Sequence, residues 1–276
     1  MSTFFKPQCV YIFICALLIG CGGSGPNGDE YNPTSYVPDE ILVNDYQYFG
    51  RREFGKSITS SNTGVTYGYE LYLPPEYDLE LDRAFPVLYI TDAQFDVSFQ
   101  AKMLDYTSLT PVIMVGITEG PAGRRGTDYT LPGATTYFRF FTQEFIPAVE
   151  AEYRIIAEDR TFEGASAGGV ASLVMMSLDV ENPPIFKNHF VFDPWQPSAV
   201  NGLLSVRENL GVPLNKTLFI TSASGGFENS VRPFTQSLRE RNIDGLTIHE
   251  RVYDVGHTDI TWASLFSALN AVYDTE

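Results

Sequence analysis

The sequence contains few cysteines, histidines and basic residues. Among its 276 residues are three cysteines, three histidines and 18 lysines plus arginines, against 34 aspartates plus glutamates. The formal charge of −16 repels polyanions, so the composition argues against a nucleic-acid partner. Three scattered histidines and three cysteines are too few to build a zinc site. We therefore expect neither a metal nor another cofactor.

All the cysteines lie near the beginning of the chain. Cys9 and Cys15 belong to an apolar run over residues 9–19, "CVYIFICALLI", which is short for a bilayer span but typical of a signal peptide. The run is followed by Gly20 and Cys21, and "LIGC" resembles the lipobox of bacterial lipoproteins. The sequence thus predicts a signal peptide over residues 1–20, a lipid on Cys21 and no disulfide in the mature chain. A plain secretory signal followed by a chance cysteine is the alternative.

The segment after Cys21 is rich in glycine, proline, asparagine and aspartate and has little apolar content. We expect residues 21–40 to be the lipidated cysteine and a flexible tether, and residues 41–276 to fold as one domain. The lipid would attach the protein to the cell envelope. Glycine rather than aspartate at position 22 favours the outer membrane of a Gram-negative bacterium.

Short runs rich in β-branched and aromatic residues alternate with helical patterns along the domain. Several of these runs are apolar without alternation, which is typical of strands buried on both faces of a mostly parallel sheet. The order of strands and helices predicts an open, doubly wound α/β sheet. The predicted strands are 67–73, 85–91, 111–117, 160–166, 189–193, 217–223 and 246–253, and the predicted helices are about 97–106, 135–152, 167–178, 230–241 and 260–273.

One serine stands between small residues at a predicted strand-to-helix junction. The segment Gly164-Ala165-Ser166-Ala167-Gly168 fits G-x-S-x-G, the sharp turn that exposes a nucleophilic serine above an α/β sheet. The strand pattern before it and the helix pattern after it are the context that this motif requires. We therefore predict that Ser166 is a nucleophile. The alternative is a helix start built from small residues.

A serine hydroxyl needs a base within hydrogen-bond reach, and histidine has the best-matched pKa. His257 lies in "DVGHTD", a turn between the last predicted strand and the last helix, downstream of the serine as the α/β-hydrolase order requires. His249 lies within a predicted strand and His189 begins one, so both are expected to be structural. His257 is the predicted base.

The carboxylate that orients the imidazole should follow the serine and precede the histidine in the chain. Glu228 comes after a Gly-Gly turn in "FITSASGGFENS", and it is the predicted acid. Asp193, at the end of the preceding strand, is an alternative. Asp254 is a weaker one because it lies only three residues before His257. On this prediction Glu228→Gln would slow turnover more than Asp193→Asn.

Acyl transfer also requires N–H donors for the oxyanion. The backbone of Ala167, directly after the serine, is the first predicted donor. The second should come from the loop after an early central strand. The strand in "LYITDAQFD" ends there, so we place the second donor at Ala93 or Gln94.

Several blocks together resemble the putative esterase family of α/β-hydrolases, which includes siderophore esterases, S-formylglutathione hydrolase and the mycolyltransferases. They follow the family's order and cover nearly all of residues 65–275. The resemblance implies an α/β-hydrolase fold, with Ser166, His257 and Glu228 as the triad and Glu228 in the family's G-x-x-E position. The blocks are "LYLPPEYD", "FPVLYITDAQ", "PVIMVGIT", "RGTDYTLP", "EGASAGG" and "GHTD".

The resemblance also implies roles for residues around the pocket, and the chain departs from the family at two points. Arg125 and Asp128 are expected to form a pair at the pocket edge, in which Arg125 either holds the loop or contacts substrate. Trp195, in "FDPWQPS" where the family tends toward Ser-Pro-Ser, is expected to line the acyl pocket or to pack under a loop. The chain has Asp92-Ala93 where family members usually have Asp-Gly, which affects the predicted oxyanion loop.

These observations predict a lipid-anchored serine hydrolase that cleaves carboxylic esters through an acyl-enzyme. Siderophore esters and carbohydrate or plant-phenolic esters remain alternatives, although the acidic chain would not attract an anionic iron-loaded siderophore. An acyltransferase uses the same acyl-enzyme and is a further alternative. The alternative from another class is a surface-displayed binding lipoprotein that has lost the chemistry. The sequence does not predict an oligomeric state.

Overall fold

The computed structural model describes residues 39–107, 111–121 and 123–273. The predicted signal peptide, Cys21 and nearly all of the predicted tether therefore lie outside the described residues. In the described part of the chain, no helix combines the length and apolar character that a membrane span requires.

Within these residues, eight strands form one sheet in the order β1-β2-β4-β3-β5-β6-β7-β8. Strands β3 to β8 run parallel to one another, and β2 pairs antiparallel with both β1 and β4. This arrangement confirms the predicted, mostly parallel sheet. The strands are β1 (Arg51–Thr59), β2 (Thr66–Leu73), β3 (Phe85–Ile90), β4 (Ile113–Ile117), β5 (Ile155–Ala165), β6 (Asn188–Phe192), β7 (Lys216–Gly225) and β8 (Leu246–Gly256).

Helices connect the strands, with short 3-10 turns at Asp39–Ile41, Pro197–Val200 and His257–Asp259. The predicted helix 135–152 is divided, because a π-helical turn at Phe141–Phe145 separates two α-helices. The helices are α1 (Pro75–Leu79), α2 (Ala93–Tyr106), α3 (Arg125–Asp128), α4 (Gly133–Phe140), α5 (Ile146–Glu150), α6 (Ala167–Leu178), α7 (Asn201–Asn209), α8 (Glu228–Arg241) and α9 (Ile260–Tyr273).

Strands β3 and β4 are buried on both faces, which explains their unbroken apolar sequences. Leu88 and Ile90 of β3 point to one face, where they join a cluster with side chains of α2 and α9. Val87 and Tyr89 point to the other face and pack with α4, α6 and the π-helical turn. Farther along this second face, α6, α7 and α8 cover β6 and β7. The sheet thus forms the middle of three layers.

The carboxyl ends of the parallel strands meet at one edge of the sheet, where α/β proteins bind their ligands. The chain leaves β3 at Thr91, β5 at Ser166 and β6 at Asp193, while β8 ends just before His257. The fold therefore brings residues that are distant in sequence to the same edge. It also fixes where a site built from them must lie.

Candidate active site

Ser166 occupies a strained turn between β5 and α6. Its backbone has φ 55° and ψ −117°, a conformation that is costly for a residue with a side chain and that occurs at functional turns. The Ser166 N–H donates to the carbonyl of Phe192 at 2.9 Å, which ties the turn to the end of β6. Helix α6 begins at the next residue, so the hydroxyl lies at the strand-to-helix corner that the motif predicts.

The glycines around Ser166 permit a close approach of backbone segments. A Cβ atom on Gly164 would lie 2.2 Å from the carbonyl oxygen of Gly168, and one on Gly168 would lie 2.4 Å from Oγ1 of Thr91. Neither distance leaves room for a side chain. The glycines therefore allow α6 to start tightly against both β5 and the end of β3.

His257 follows β8 directly, in the 3-10 turn His257–Asp259. Its Nδ1 lies 2.6 Å from Oδ2 of Asp193, and its ring packs edge-on against Phe227 with centroids 4.6 Å apart. The carboxylate and the aromatic ring fix the orientation of the imidazole. With Nδ1 engaged by the carboxylate, Nε2 is the nitrogen left to exchange a proton.

Asp193 is held by hydrogen bonds from several directions. Its side chain is fully buried, and its backbone adopts a positive φ of 41° directly after β6. The carboxylate accepts the N–H of Ala223 at 3.1 Å and the N–H of Phe227 at 3.0 Å, in addition to the imidazole. A buried carboxylate is stable only with such partners.

The structure gives Asp193, and not Glu228, the place beside the imidazole, which corrects the sequence-based expectation. Glu228 is the first residue of α8 and forms an ion pair with Arg232 one turn later, at 2.6 Å. The Gly-Gly turn serves a different purpose from the one expected: a Cβ on Gly226 would lie 2.0 Å from Oδ2 of Asp193. Glycine there makes room for the Asp193 carboxylate.

The other predicted alternatives lie away from this pair. Asp254 accepts a hydrogen bond from Ser224 at 2.7 Å. His189 is buried within β6, 3.3 Å from the hydroxyl of Ser172, and burial lowers its pKa well below the usual value. His249 stacks on Phe219 in the sheet. Both histidines have the structural positions that the sequence predicts.

The predicted oxyanion donors lie at two neighbouring helix starts. Ala167 is the first residue of α6 and Ala93 the first residue of α2, and N–H groups in a first helical turn have no partner within their own helix. Gln94 follows Ala93, and its side chain accepts the N–H of Glu119 at 3.0 Å and donates to Asp92. The geometry keeps both Ala93 and Gln94 open as the second donor.

Arg125 pairs with Asp92 and not with Asp128, so the expected pair is wrong. Its Nε and Nη2 donate to the two carboxylate oxygens of Asp92 at 2.9 and 2.8 Å. Asp128 instead accepts hydrogen bonds from Arg124 at 3.1 Å and from Tyr67 at 2.8 Å. Two parallel N–H···O bonds make a rigid contact, so Arg125 fixes the turn at Asp92 that leads into α2.

Ser166 and His257 line one cavity of about 380 Å³. Trp195 is not among the residues that form its wall and is 44% exposed, although its backbone N–H donates to the carbonyl of Ser166 at 3.1 Å. The role predicted for Trp195 remains a prediction. The wall consists of Thr91, Asp92, Phe95, Asp96, Gln100, Arg125, Glu163, Ala165, Ser166, His257, Thr258, Ile260 and Thr261.

Sequence reasoning missed the polar part of this wall. Glu163 lies in the buried part of β5, three residues before Ser166, and Gln100 faces it from α2, with Nε2 donating to Oε2 of Glu163 at 3.0 Å. A glutamate this close to the predicted nucleophile is visible in the sequence. No group of three or more histidine, cysteine, aspartate or glutamate side chains suited to a metal ion occurs in ranges 39–107, 111–121 and 123–273.

A serine at a nucleophile turn and a carboxylate-bound histidine, at the carboxyl edge of a mostly parallel sheet, define an α/β-hydrolase serine-hydrolase architecture. The model of the putative esterase family matches residues 60–270. The chain belongs to this family, as its sequence blocks predicted.

Three known proteins illustrate the similarity. The ferri-bacillibactin esterase BesA of Bacillus subtilis (strain 168) is 25% identical over 169 residues, which cover 50% of this chain and 57% of that protein. An IroE-like serine hydrolase from Shewanella oneidensis has a TM-score of 0.70 at 22% identity, covering 82% of this chain and 80% of its own. A ferulic acid esterase has a TM-score of 0.64 at 18% identity, covering 83% and 99% of the two chains. The structural likenesses confirm the α/β-hydrolase fold.

Proposed function

We propose that this protein is a serine hydrolase that cleaves carboxylic esters through an acyl-enzyme on Ser166. The observation that carries the proposal is the 2.6 Å contact between Nδ1 of His257 and the buried Asp193, since His257 lines the same cavity as the strained Ser166. Membership of the putative esterase family supports the same reaction class.

In the proposed mechanism, Oγ of Ser166 attacks the ester carbonyl while Nε2 of His257 takes its proton. Asp193 holds the Nδ1–H and stabilises the imidazolium that forms. Backbone N–H groups of Ala167 and of Ala93 or Gln94 bind the oxyanion. Each such donor contributes roughly 3 to 4 kcal/mol of transition-state stabilisation in comparable hydrolases. His257 then returns the proton to the leaving alcohol, and a water molecule releases the acid by the same steps.

The substrate that we propose is a small-molecule ester. The relatives support this class, because their names describe a ferri-bacillibactin esterase and a ferulic acid esterase. A cavity of about 380 Å³ is of the size that takes a small ligand. The formal charge of −16 disfavours a strongly anionic ester, since like charges reduce the rate of encounter.

Labelling with a fluorophosphonate probe tests the proposed function, because the probe phosphonylates an activated serine. We expect the wild-type protein to be labelled and to hydrolyse p-nitrophenyl acetate, and Ser166→Ala to lose both activities. Ser205→Ala is a matched control, since this exposed serine lies on α7, where it donates to the carbonyl of Asn201 and accepts from Arg241 at 3.3 Å. A wild-type protein that is folded but unlabelled would overturn the proposal and favour a non-catalytic binding protein.

We also propose that Cys21 carries a lipid that attaches the enzyme to the cell envelope, in the outer membrane if the host is Gram-negative. The support is the "LIGC" sequence at residues 18–21 after the apolar run. Cys21→Ala should move the protein from the membrane fraction to the soluble fraction. An unchanged distribution between the fractions would contradict the anchor and leave the esterase proposal intact.

A further inference from the structure

One end of the active-site cavity has a polar floor whose hydrogen bonds are incomplete. Glu163 and Gln100 are only 1% and 2% exposed, and both belong to the cavity wall. The amide Nε2 of Gln100 donates to Oε2 of Glu163 at 3.0 Å. The other amide atom, Oε1 of Gln100, is buried and has no hydrogen-bond partner among the described residues.

A buried acceptor without a partner is unusual, because the large majority of buried polar side-chain atoms in folded proteins are paired. Leaving one unpaired costs the free energy of its lost hydration. A ligand that brings an N–H or O–H group into the cavity would remove this cost. The Oε1 atom of Gln100 therefore lacks a donor that such a ligand would supply.

The side chains around Gln100 favour a donor over an acceptor. Asp96 belongs to the same wall, whereas Arg125 already gives two N–H groups to Asp92. Burial raises the pKa of Glu163 to about 8, and the charges of Asp96 and Asp92 act in the same direction, against the hydrogen bond from Gln100. A carboxylate on the ligand would meet Asp96 in this wall, so the floor disfavours anions.

The position of the floor indicates which half of an ester reaches it. Glu163 lies three residues before Ser166 on β5, which places it roughly 10 Å back along the strand. His257 retains 32% of its side-chain exposure, and the leaving alcohol must depart past this imidazole, which protonates it. The closed end at Glu163 is thus left for the acyl group, which stays bonded to Ser166 until water arrives.

We propose that Gln100 and Glu163 form an acyl-binding subsite, which selects esters whose acyl group carries a hydroxyl or N–H donor remote from the carbonyl carbon. This inference rests on the proposed serine esterase function and adds the class of acyl group to it. A site built to pair with a substrate hydroxyl discriminates strongly against an analogue that lacks it. Gln100 and Glu163 act here as specificity-determining residues.

Matched pairs of p-nitrophenyl esters test the proposal with the wild-type protein. Each pair replaces a hydroxyl by a methyl group of similar size: 3-hydroxybutyrate against 3-methylbutyrate, 6-hydroxyhexanoate against heptanoate, and 8-hydroxyoctanoate against nonanoate. We expect kcat/KM to favour the hydroxyl ester by about tenfold or more in at least one pair. Equal or better cleavage of the methyl ester in all three pairs would overturn the subsite.

A variant then assigns the preference to Gln100. Gln100→Met keeps a long side chain but removes the amide, so the ratio of kcat/KM within the favoured pair should fall to about one. Gln236→Met is the control: Gln236 lies on α8 and donates to Glu240 on the surface, so the ratio should not change. A ratio that survives Gln100→Met would overturn the assignment, and the wild-type pairs decide the subsite even if this variant fails to fold.

The design separates the two proposals. If every ester is hydrolysed, activity is lost in Ser166→Ala and no pair shows a preference, the subsite is contradicted and the esterase function is not. If the folded wild-type protein hydrolyses no ester and is not labelled by the fluorophosphonate, the esterase function itself is contradicted.

Discussion

Two buried carboxyl groups belong to the site, and their surroundings differ: Asp193 lies beside His257, whereas Glu163 lies in the cavity wall. Asp193 accepts N–H groups from two backbone positions and from His257. Glu163 receives the single amide of Gln100, whose own oxygen is unpaired. Asp193 therefore has its hydrogen-bond partners without a ligand, whereas the Gln100–Glu163 pair keeps one unpaired acceptor.

The two surroundings distinguish the preorganised part of the site from the part that is left for the substrate. A base must hold its orientation before the ester arrives, because reorientation during the reaction would raise the barrier. A binding subsite works in the opposite way, since an unpaired group gains its partner only when the correct ligand binds. The site therefore combines a His257–Asp193 pair that is formed without a ligand with a Gln100–Glu163 floor in which one acceptor is unpaired.

The largest effect should come from removing the negative charge of Asp193. Asp193→Asn keeps the shape, but its amide favours the wrong tautomer of His257, so kcat should fall by about 10⁴-fold. Glu228→Gln should change kcat by less than about threefold, because Glu228 contacts Arg232 and not the imidazole. Steady-state hydrolysis of one p-nitrophenyl ester measures both variants.

This ranking reverses the one expected from the sequence. A greater loss in Glu228→Gln than in Asp193→Asn would contradict the contacts around His257. Circular dichroism and a melting curve for each variant would show whether a loss of rate reflects chemistry or unfolding.

A smaller loss should follow from crowding the same carboxylate. In Gly226→Ala the new methyl group would start 2.0 Å from Oδ2 of Asp193, so the carboxylate or the turn must move. Displacement of a positioning group by about 1 Å can cost about 10²-fold in rate, and we expect a fall in kcat of that order with little change in KM.

Gly202→Ala is the matched control for this substitution. Gly202 lies within α7, and a Cβ there meets no atom within 4 Å. Alanine is a better helix former than glycine by roughly 1 kcal/mol, so this variant should keep full activity and unfold at slightly higher denaturant. Equal activities of Gly226→Ala and wild type would show that the turn relaxes without moving Asp193.

Most of the fold could be predicted because its signals are local. Continuous apolar runs identify the buried strands, and α6 and α9 begin and end where their patterns predict. Strand β1 was missed because its residues are largely exposed and it contains Gly55 and several charges. Helix α7 was missed because its pattern is weak, with few buried residues on one side.

The residues of the site, like the elements of the fold, could be predicted where their signals are local. Ser166 lies in a motif whose small residues are required by the tight turn, and His257 follows it in the chain order of the α/β-hydrolases. Both could therefore be predicted from the sequence. The partner of His257 depends on a turn: Asp193 and Glu228 both follow a strand of the same sheet, and the turn at Gly226 leaves room for the Asp193 carboxylate while Phe227 donates its N–H to it. Gln100 could not be linked to Glu163, because no local pattern joins α2 to β5.

The pH dependence of the unfolding free energy tests the contrast between Glu163 and Asp193. The pKa of Glu163 is raised from its ordinary value of 4.5 to about 8, so between these values the folded protein holds a proton that the unfolded chain releases. The contribution of Glu163 to the unfolding free energy should therefore be flat below about pH 4.5, fall from there to about pH 8, and level off above it.

The limiting slope in that window is about 1.4 kcal/mol per pH unit. Glu163→Gln cannot ionise, so the difference in unfolding free energy between wild type and this variant isolates the contribution of Glu163 from that of Asp96, whose pKa burial also raises. Urea unfolding at pH 5, 6.5, 8 and 9 measures it. Curves that run parallel across these pH values would mean that Glu163 is ionised throughout, which would contradict the raised pKa of this carboxyl group.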